Sequence, residues 1–265
     1  MFRQIFFPVT RPVIGVIHLP PLLGYSEFTS MEATLVLVLK DLHSLQRGGV
    51  DGVIVENEYD HPHQFTVGPE IVASFTWMMH KVMEQAQVPV GLEVLLNDWQ
   101  ASLAIAKACG AAFVRLDFFV DRVRVKDRVI EPDPAEIIAY RRQLKAEHVA
   151  VLADIQVKYS ELLEEKSLTT SAQQAVAGGA DAIIVTGRAT GDMPALTDLQ
   201  EAREAVGDFP VLVGSGTTPA NVVEVFQYAD GAIIGTALKS GSEPHDRVVE
   251  DKVRQLMRTV RVIRS

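Results

Sequence analysis

Short runs of Val, Ile, Leu and Ala alternate with helix-length segments from one end of the chain to the other. The runs fall at residues 13–18, 52–56, 90–95, 112–117, 150–155, 182–185, 211–213 and 231–234. They are almost continuously apolar, which predicts strands buried on both faces of a parallel sheet. Between them lie predicted helices at 30–47, 69–85 and 98–109, the last with Asp98 as N-cap, and an amphipathic helix at 247–263 closes the chain. Eight strand–helix units point to an α/β fold, a single (β/α)8 TIM barrel, because closure leaves no sheet edge. The 265 residues sit close to the ~250 usual for such a barrel and are read as one domain, with 1–11 as an N-terminal extension.

A weak repeat supports this reading. Gly-Gly-Val-Asp at 48–51, Gly-Gly-Ala-Asp at 178–181 and Ala-Asp at 229–230 each hand over to a buried strand. Asp51, Asp181 and Asp230 therefore lie at strand starts, the stability face of a barrel, and receive no chemical role. Two segments break the rhythm. Residues 118–133 are too long for a simple turn and read as a hairpin lid after strand 4. Residues 158–167 extend the loop after strand 5, with a short helix read at 162–166.

Composition narrows the partners. A net charge of −9 argues against nucleic acid, whose phosphates require clustered Lys and Arg. No apolar run reaches the ~18 residues of a membrane span. The apolar Ile5-Phe6-Phe7-Pro8 lacks the form of a signal peptide, so a cytoplasmic protein is expected. Cys109, the one cysteine, is read as helix packing, and self-association is left open.

Strands 7 and 8 each run into glycine. Gly214, Ser215 and Gly216 precede Thr217, Thr218 and Pro219, read as a helix cap with Pro at the first helical position, while strand 8 ends in Gly235 and Thr236. Glycines admit an anion to backbone N–H groups, and barrels often place phosphate after these two strands. Tight turns needing glycine for geometry alone are the alternative. A local cradle of N–H groups can hold a phosphate despite the negative overall charge.

The other candidates are polar residues where apolar strands end: His18, Glu56, Asn57, Glu93, Asp117, Asp154, Lys158, Thr186 and Gly187. All are expected at the catalytic mouth of the barrel. Alternation turns Arg115 inward one layer below Asp117, where Glu93 or Asp117 would be its partner. Converging Glu93, Asp117 and Asp154 must be protonated, paired with a cation or bound to a metal, and oxygen ligands would suit Mg²⁺ or Mn²⁺. On the repulsion argument, removing the Asp154 charge is expected to keep or raise the melting temperature. His61 and His63 flank Pro62 and are read as surface-loop residues, and Tyr159 and Ser160 are weaker substrate-contact candidates.

Six stretches stand out together: Gly15-Val16-Ile17-His18-Leu19-Pro20-Pro21-Leu22, Asp51-Gly52-Val53-Ile54-Val55-Glu56-Asn57, Leu96-Asn97-Asp98, Ala153-Asp154-Ile155-Gln156-Val157-Lys158, Val185-Thr186-Gly187-Arg188-Ala189-Thr190-Gly191 and Val213-Gly214-Ser215-Gly216. On these residues, and over nearly its whole length, the chain resembles the BtpA/SgcQ family. That family is similar to ribulose-phosphate-binding barrels, and its name derives from a link to photosystem I biogenesis. The resemblance has departures. Glu93 and Asp117 stand where members tend to have Asn, and Tyr159 follows Val157-Lys158 where they often have His.

The residues themselves suggest an enzyme for a small phosphorylated metabolite, a sugar or nucleoside phosphate, working by proton transfer as an isomerase, epimerase, aldolase or lyase. Asp117 or Asp154 would be the base, Lys158 the oxyanion or Schiff-base cation and His18 the acid. A non-catalytic assembly factor, with Ile5–Pro8 as its exposed apolar patch, and a phosphometabolite sensor are the rivals.

Overall fold

Every apolar run enters one parallel sheet that closes on itself in the computed structural model, which describes residues 1–241 and 246–264. The barrel strands are β1 (Val13–His18), β2 (Gly52–Glu56), β3 (Val90–Glu93), β4 (Phe113–Leu116), β5 (Ala150–Ile155), β6 (Ala182–Val185), β7 (Val211–Val213) and β8 (Gly231–Ile234). Each pairs with its sequence neighbours, and β1 meets β8 with Val13 opposite Ala232. Strands β3 and β4 stop one or two residues short of their predicted ends, so Asp117 begins a loop.

The helices after the first pack outside the sheet. In chain order the helices are α1 (Phe2–Phe6), α2 (Met31–Gly48), α3 (Pro69–Gln85), α4 (Trp99–Cys109), α5 (Pro134–Gln143), α6 (Leu168–Ala177), α7 (Leu196–Val206), α8 (Val222–Val225) and α9 (Glu250–Arg264). Ser30 and Asp98 cap α2 and α4 by accepting from the N–H of Ala33 and Ala101. The predicted helix start at Thr217–Pro219 does not form. Asn221 instead staples that loop, accepting from Thr218 N–H at 2.7 Å and donating to the Gly216 carbonyl at 2.9 Å. Position 218 also precedes a proline, which disfavours helical backbone there. The helix that follows has only four residues.

The barrel interior is filled from below. Phe2 and Phe6 of α1 are buried with Ile14, Ile54, Phe113, Leu152, Ile184, Leu212 and Ile233, and the rings of Phe6 and Phe113 lie 6.2 Å apart. Gly91 makes room for this packing, since a Cβ there would stand 2.1 Å from the Phe113 ring. Ile5 and Phe6 of the predicted apolar patch thus join the floor of the barrel, while Phe7 and Pro8 stay exposed.

The three repeated aspartates share one task. Asp51, Asp181 and Asp230 accept from the first or second N–H of β1, β5 and β7 respectively. Each also pairs with an arginine from a helix: Arg264 at 2.5 Å, Arg141 at 3.1 Å, and Arg203. These clamps fasten strand starts to helix residues around the lower rim.

After β4, residues Val123–Val125 and Arg128–Ile130 form the expected antiparallel hairpin. The short helix expected at 162–166 is absent. Glu161–Leu162 adds a third strand to the hairpin, with Arg124 and Glu161 paired at 2.8 Å. An apolar cluster of Phe118, Val123, Val125 and Val157 lies beneath, and the Arg128 guanidinium sits 4.7 Å from the Phe65 ring centre.

Candidate active site

Above the aromatic floor the inward positions turn polar. Strand register sets them in a row: His18 lies opposite Glu56, and Glu56 opposite Glu93. Arg115 follows Phe113 on the same face of β4, one layer up, and closes the row. Its true partner is Asp154 rather than Glu93 or Asp117. Nε meets Asp154 Oδ2 at 2.8 Å and Nη2 meets Oδ1 at 3.0 Å. Asp154 sits two residues beyond Leu152, which is level with Arg115, and this offset lets the planar fork engage side-on. Glu56 and Glu93 lie farther from Nη1, at 3.4 and 3.6 Å.

This arrangement pulls the carboxylates apart. Burial drives Glu93 well above the usual carboxylate range, and neighbouring Asp117 adds to the effect. Among the described residues, neither of its oxygens meets a hydrogen-bond partner. Burial also raises Asp117, to about 6, against the pull of Arg115. Glu56 goes the other way. Burial alone would raise it, but hydrogen bonding to His18 and the charge of Arg115 bring it down to about 2. His18 Nε2 lies 3.5 Å from Glu56 Oε2.

On its other side, His18 Nδ1 is 2.5 Å from the Nζ of Lys239, a fully buried lysine that also donates to Tyr59 OH at 3.3 Å. Burial and then the charge of Arg247 lower Lys239 to about 8. Nothing in the sequence around Lys239 signals this role, because it follows a 3₁₀ turn after β8 and meets His18 only through the closure of the barrel. Glu58 is the other unforeseen residue. It lies two positions after Glu56, a spacing that strand alternation would have turned to the same side.

A cavity of about 330 Å³ opens above these groups. Of the predicted site residues, His18, Glu56, Glu93, Asp117, Lys158, Gly214, Ser215, Gly216, Thr217, Thr218, Gly235 and Thr236 line it together. Asp154 lies beneath, covered by Arg115. Asn57 is spent on structure, accepting from Leu95 N–H and donating to Asp60. Gly187 donates its N–H to Ser215 Oγ, and Thr186 packs against Gly214; neither lines the cavity. His63, read as a surface residue, is half-buried and joins the wall. Tyr159 OH accepts from Thr190 N–H at 2.7 Å and so ties two loops across the rim.

The two glycine loops face this cavity on one side. Among the described residues, no intrachain hydrogen bond uses the N–H of Gly216, Thr217, Gly235 or Thr236. Gly216 is imposed by its own neighbours: its φ is +67°, and a Cβ would stand 2.0 Å from Met193 N. Gly235 is different. A Cβ there would meet only Val16 at 3.4 Å and His18 Nε2 at 3.7 Å, in cavity space.

Among the described residues, no helix is long and apolar enough to cross a membrane. The fold is like that of a thiamine phosphate pyrophosphorylase from Pyrococcus furiosus, with a TM-score of 0.61 at 14% identity over all of both chains. It is equally like a (S)-3-O-geranylgeranylglyceryl phosphate synthase from Thermoplasma acidophilum in complex with sn-glycerol-1-phosphate: TM-score 0.61, 14% identity, 94% of this chain and 93% of that one. At such identity the likeness shows the barrel. Nearer in sequence is the photosystem I biogenesis protein BtpA of Synechocystis sp., 37% identical over 88% of this chain and 82% of that protein. A model of the BtpA family matches residues 9–262, and the chain belongs to that family.

Proposed function

We propose that this protein is an enzyme that binds a small phosphorylated metabolite and moves a proton next to its carbonyl group, as isomerases, epimerases and some lyases do. One observation carries the reading. Glycine loops with uncommitted N–H groups and an aspartate raised to about 6 line the same cavity. A group that titrates near the working pH is suited to general-base work.

In this reading the N–H groups of Gly216, Thr217, Gly235 and Thr236 hold the phosphate. Asp117 takes the proton, and Lys158 stabilises the negative oxygen that develops. His18 returns a proton to that oxygen, and Asp154 holds Arg115 in place beneath. The single cysteine and the lack of a spanning helix among the described residues fit work in the cytoplasm. Calorimetry with inorganic phosphate and sn-glycerol-1-phosphate tests the first half. Exchange of the α-hydrogen of keto-sugar phosphates into D₂O, followed by NMR, tests the second. Binding and exchange, with exchange lost in Asp117→Asn, are expected. Failure of both phosphate probes to bind overturns the reading.

The name of the Synechocystis relative favours a second reading, a non-catalytic assembly factor. Of its expected contact surface at Ile5–Pro8, Ile5 and Phe6 pack into the barrel floor and Phe7 and Pro8 remain on the outside.

A further inference from the structure

Oxygen ligands at Glu93, Asp117 and Asp154 are what the sequence offers a metal, and the folded chain closes that option. The Arg115 guanidinium sits among them, holds both oxygens of Asp154 and lies 3.6 Å from Glu93; it meets Glu56 at 3.4 Å through Oε1, while the other oxygen, Oε2, is the one beside His18. A cation placed there would face a fixed positive charge at close range. The neighbouring corner of the same cavity is built differently. His18, Glu56 and Glu58 each offer a ligand atom, and these atoms lie within 4.8 Å of one another. All three residues line the cavity.

From this geometry we infer that His18, Glu56 and Glu58 form a divalent-cation site, open towards the cavity and beside the Gly235 loop, in which His18 Nε2 is a ligand and no longer the proton donor of the reading above. Two features support it. Among the described residues no hydrogen bond or ion pair engages the Glu58 carboxylate. At bonds of ~2.1 Å, neighbouring ligand atoms stand roughly 3.0–3.4 Å apart. His18 Nε2 and Glu56 Oε2 are already at 3.5 Å, and a modest turn of Glu58 closes the set.

Three protein ligands leave positions free for water or a substrate oxygen, as in catalytic rather than structural sites. The mixed nitrogen and oxygen set suits Mn²⁺, Co²⁺ or Zn²⁺ better than Mg²⁺. A corollary rests on the phosphate reading above. A phosphate would enter a cavity already walled by Glu56, Glu58 and Asp117, and a divalent ion next to Gly235 supplies the positive charge between them. Phosphate affinity should then rise when the cation is present.

The test uses the full chain, stripped with chelator and dialysed. Mn²⁺ alone is titrated by calorimetry, and the loaded protein is examined by electron spin-echo spectroscopy for coupling to a histidine nitrogen. We expect micromolar Mn²⁺ binding, a nitrogen signal that disappears in His18→Gln, and affinity at least ~10-fold weaker in Glu58→Gln. Glu58 stands outside the ion-pair network, so that variant should fold normally. No Mn²⁺ or Zn²⁺ binding tighter than millimolar, no histidine nitrogen signal in the wild type, or wild-type affinity in a folded Glu58→Gln protein overturns the site. Inorganic phosphate is then titrated with and without Mn²⁺. Phosphate that fails to bind while Mn²⁺ binds as expected supports the cation site and overturns the phosphate reading alone.

Discussion

Arg115 and Asp154 are joined side-on by two hydrogen bonds of 2.8 and 3.0 Å, with both side chains buried. The charge of Asp154 is therefore balanced, and the repulsion that made Asp154→Asn look stabilising from the sequence is absent. Removing one partner of a buried pair leaves the other uncompensated, a loss of ~3–5 kcal/mol when no other group helps. Glu56 and Glu93 remain near Arg115, so the lower end applies. Asp154→Asn should destabilise by ~3 kcal/mol in urea unfolding at pH 7. A variant as stable as wild type would mean that the fork contributes nothing.

Asp117 should make stability fall as pH rises. Its folded value of about 6 lies above the ordinary 3.8, so the native state holds this proton more tightly than the unfolded chain. The resulting stability is fully present below pH 3.8 and is lost as pH rises through 6. Glu56, lowered to about 2, does the reverse, stabilising above pH 4.5 and losing that contribution as pH falls through 2. Asp117→Asn should hence raise the melting temperature at pH 8, by ~1–3 kcal/mol of stability, and change little at pH 4. An equal shift at both pH values would rule out a raised carboxyl. In the proposed reaction, the wild-type kcat/KM should climb with pH around 6.

The two loop glycines should behave differently. Gly216→Val drives a side chain into Met193 and requires left-handed backbone from a branched residue, so it should fail to fold or melt far lower. Any loss of ligand in that variant would say nothing about an anion. Gly235→Ala meets only ordinary contacts and should melt within a few degrees of wild type. It should weaken inorganic phosphate binding ~10-fold, or 1.4 kcal/mol. Unchanged phosphate affinity in folded Gly235→Ala would remove this loop from the site.

The hairpin after β4 should open as a tethered unit. Its third strand at Glu161–Leu162 and the apolar cluster beneath it protect Val123–Val125. Leu162→Asp should speed amide exchange across 123–130 by at least ~10-fold while barrel amides keep their rates. Equal exchange in both proteins would show that the third strand does not restrain the hairpin.

Much of this was legible from the chain. Buried parallel strands announce themselves as apolar runs, and whatever interrupts them at the far end faces the mouth, which is why His18, Glu56, Glu93 and Asp117 could be named. Partner choice was not legible. Whether Arg115 takes Asp154 or Asp117 depends on the stagger between β4 and β5. Lys239 reaches His18 across 221 positions of sequence, a contact no local pattern encodes. The Thr217–Pro219 helix start was misread because capping and loop-stapling use the same residue types, and Asn221 decided between them.

The clamp between Asp51 and Arg264 has a consequence for synthesis. Residue 51 emerges early, and its arginine belongs to the final described helix, 213 positions later. Strand β1 likewise waits for β8, its neighbour across the seam. On the ribosome, then, a seven-stranded intermediate would present the free edge of β1, with its unpaired backbone groups, to any nearby strand. Growing chains held close together, as on a shared messenger, would be most exposed to mispairing until this seam is shut. The protein's dependence on chaperones should accordingly be concentrated in the last stretch of its translation.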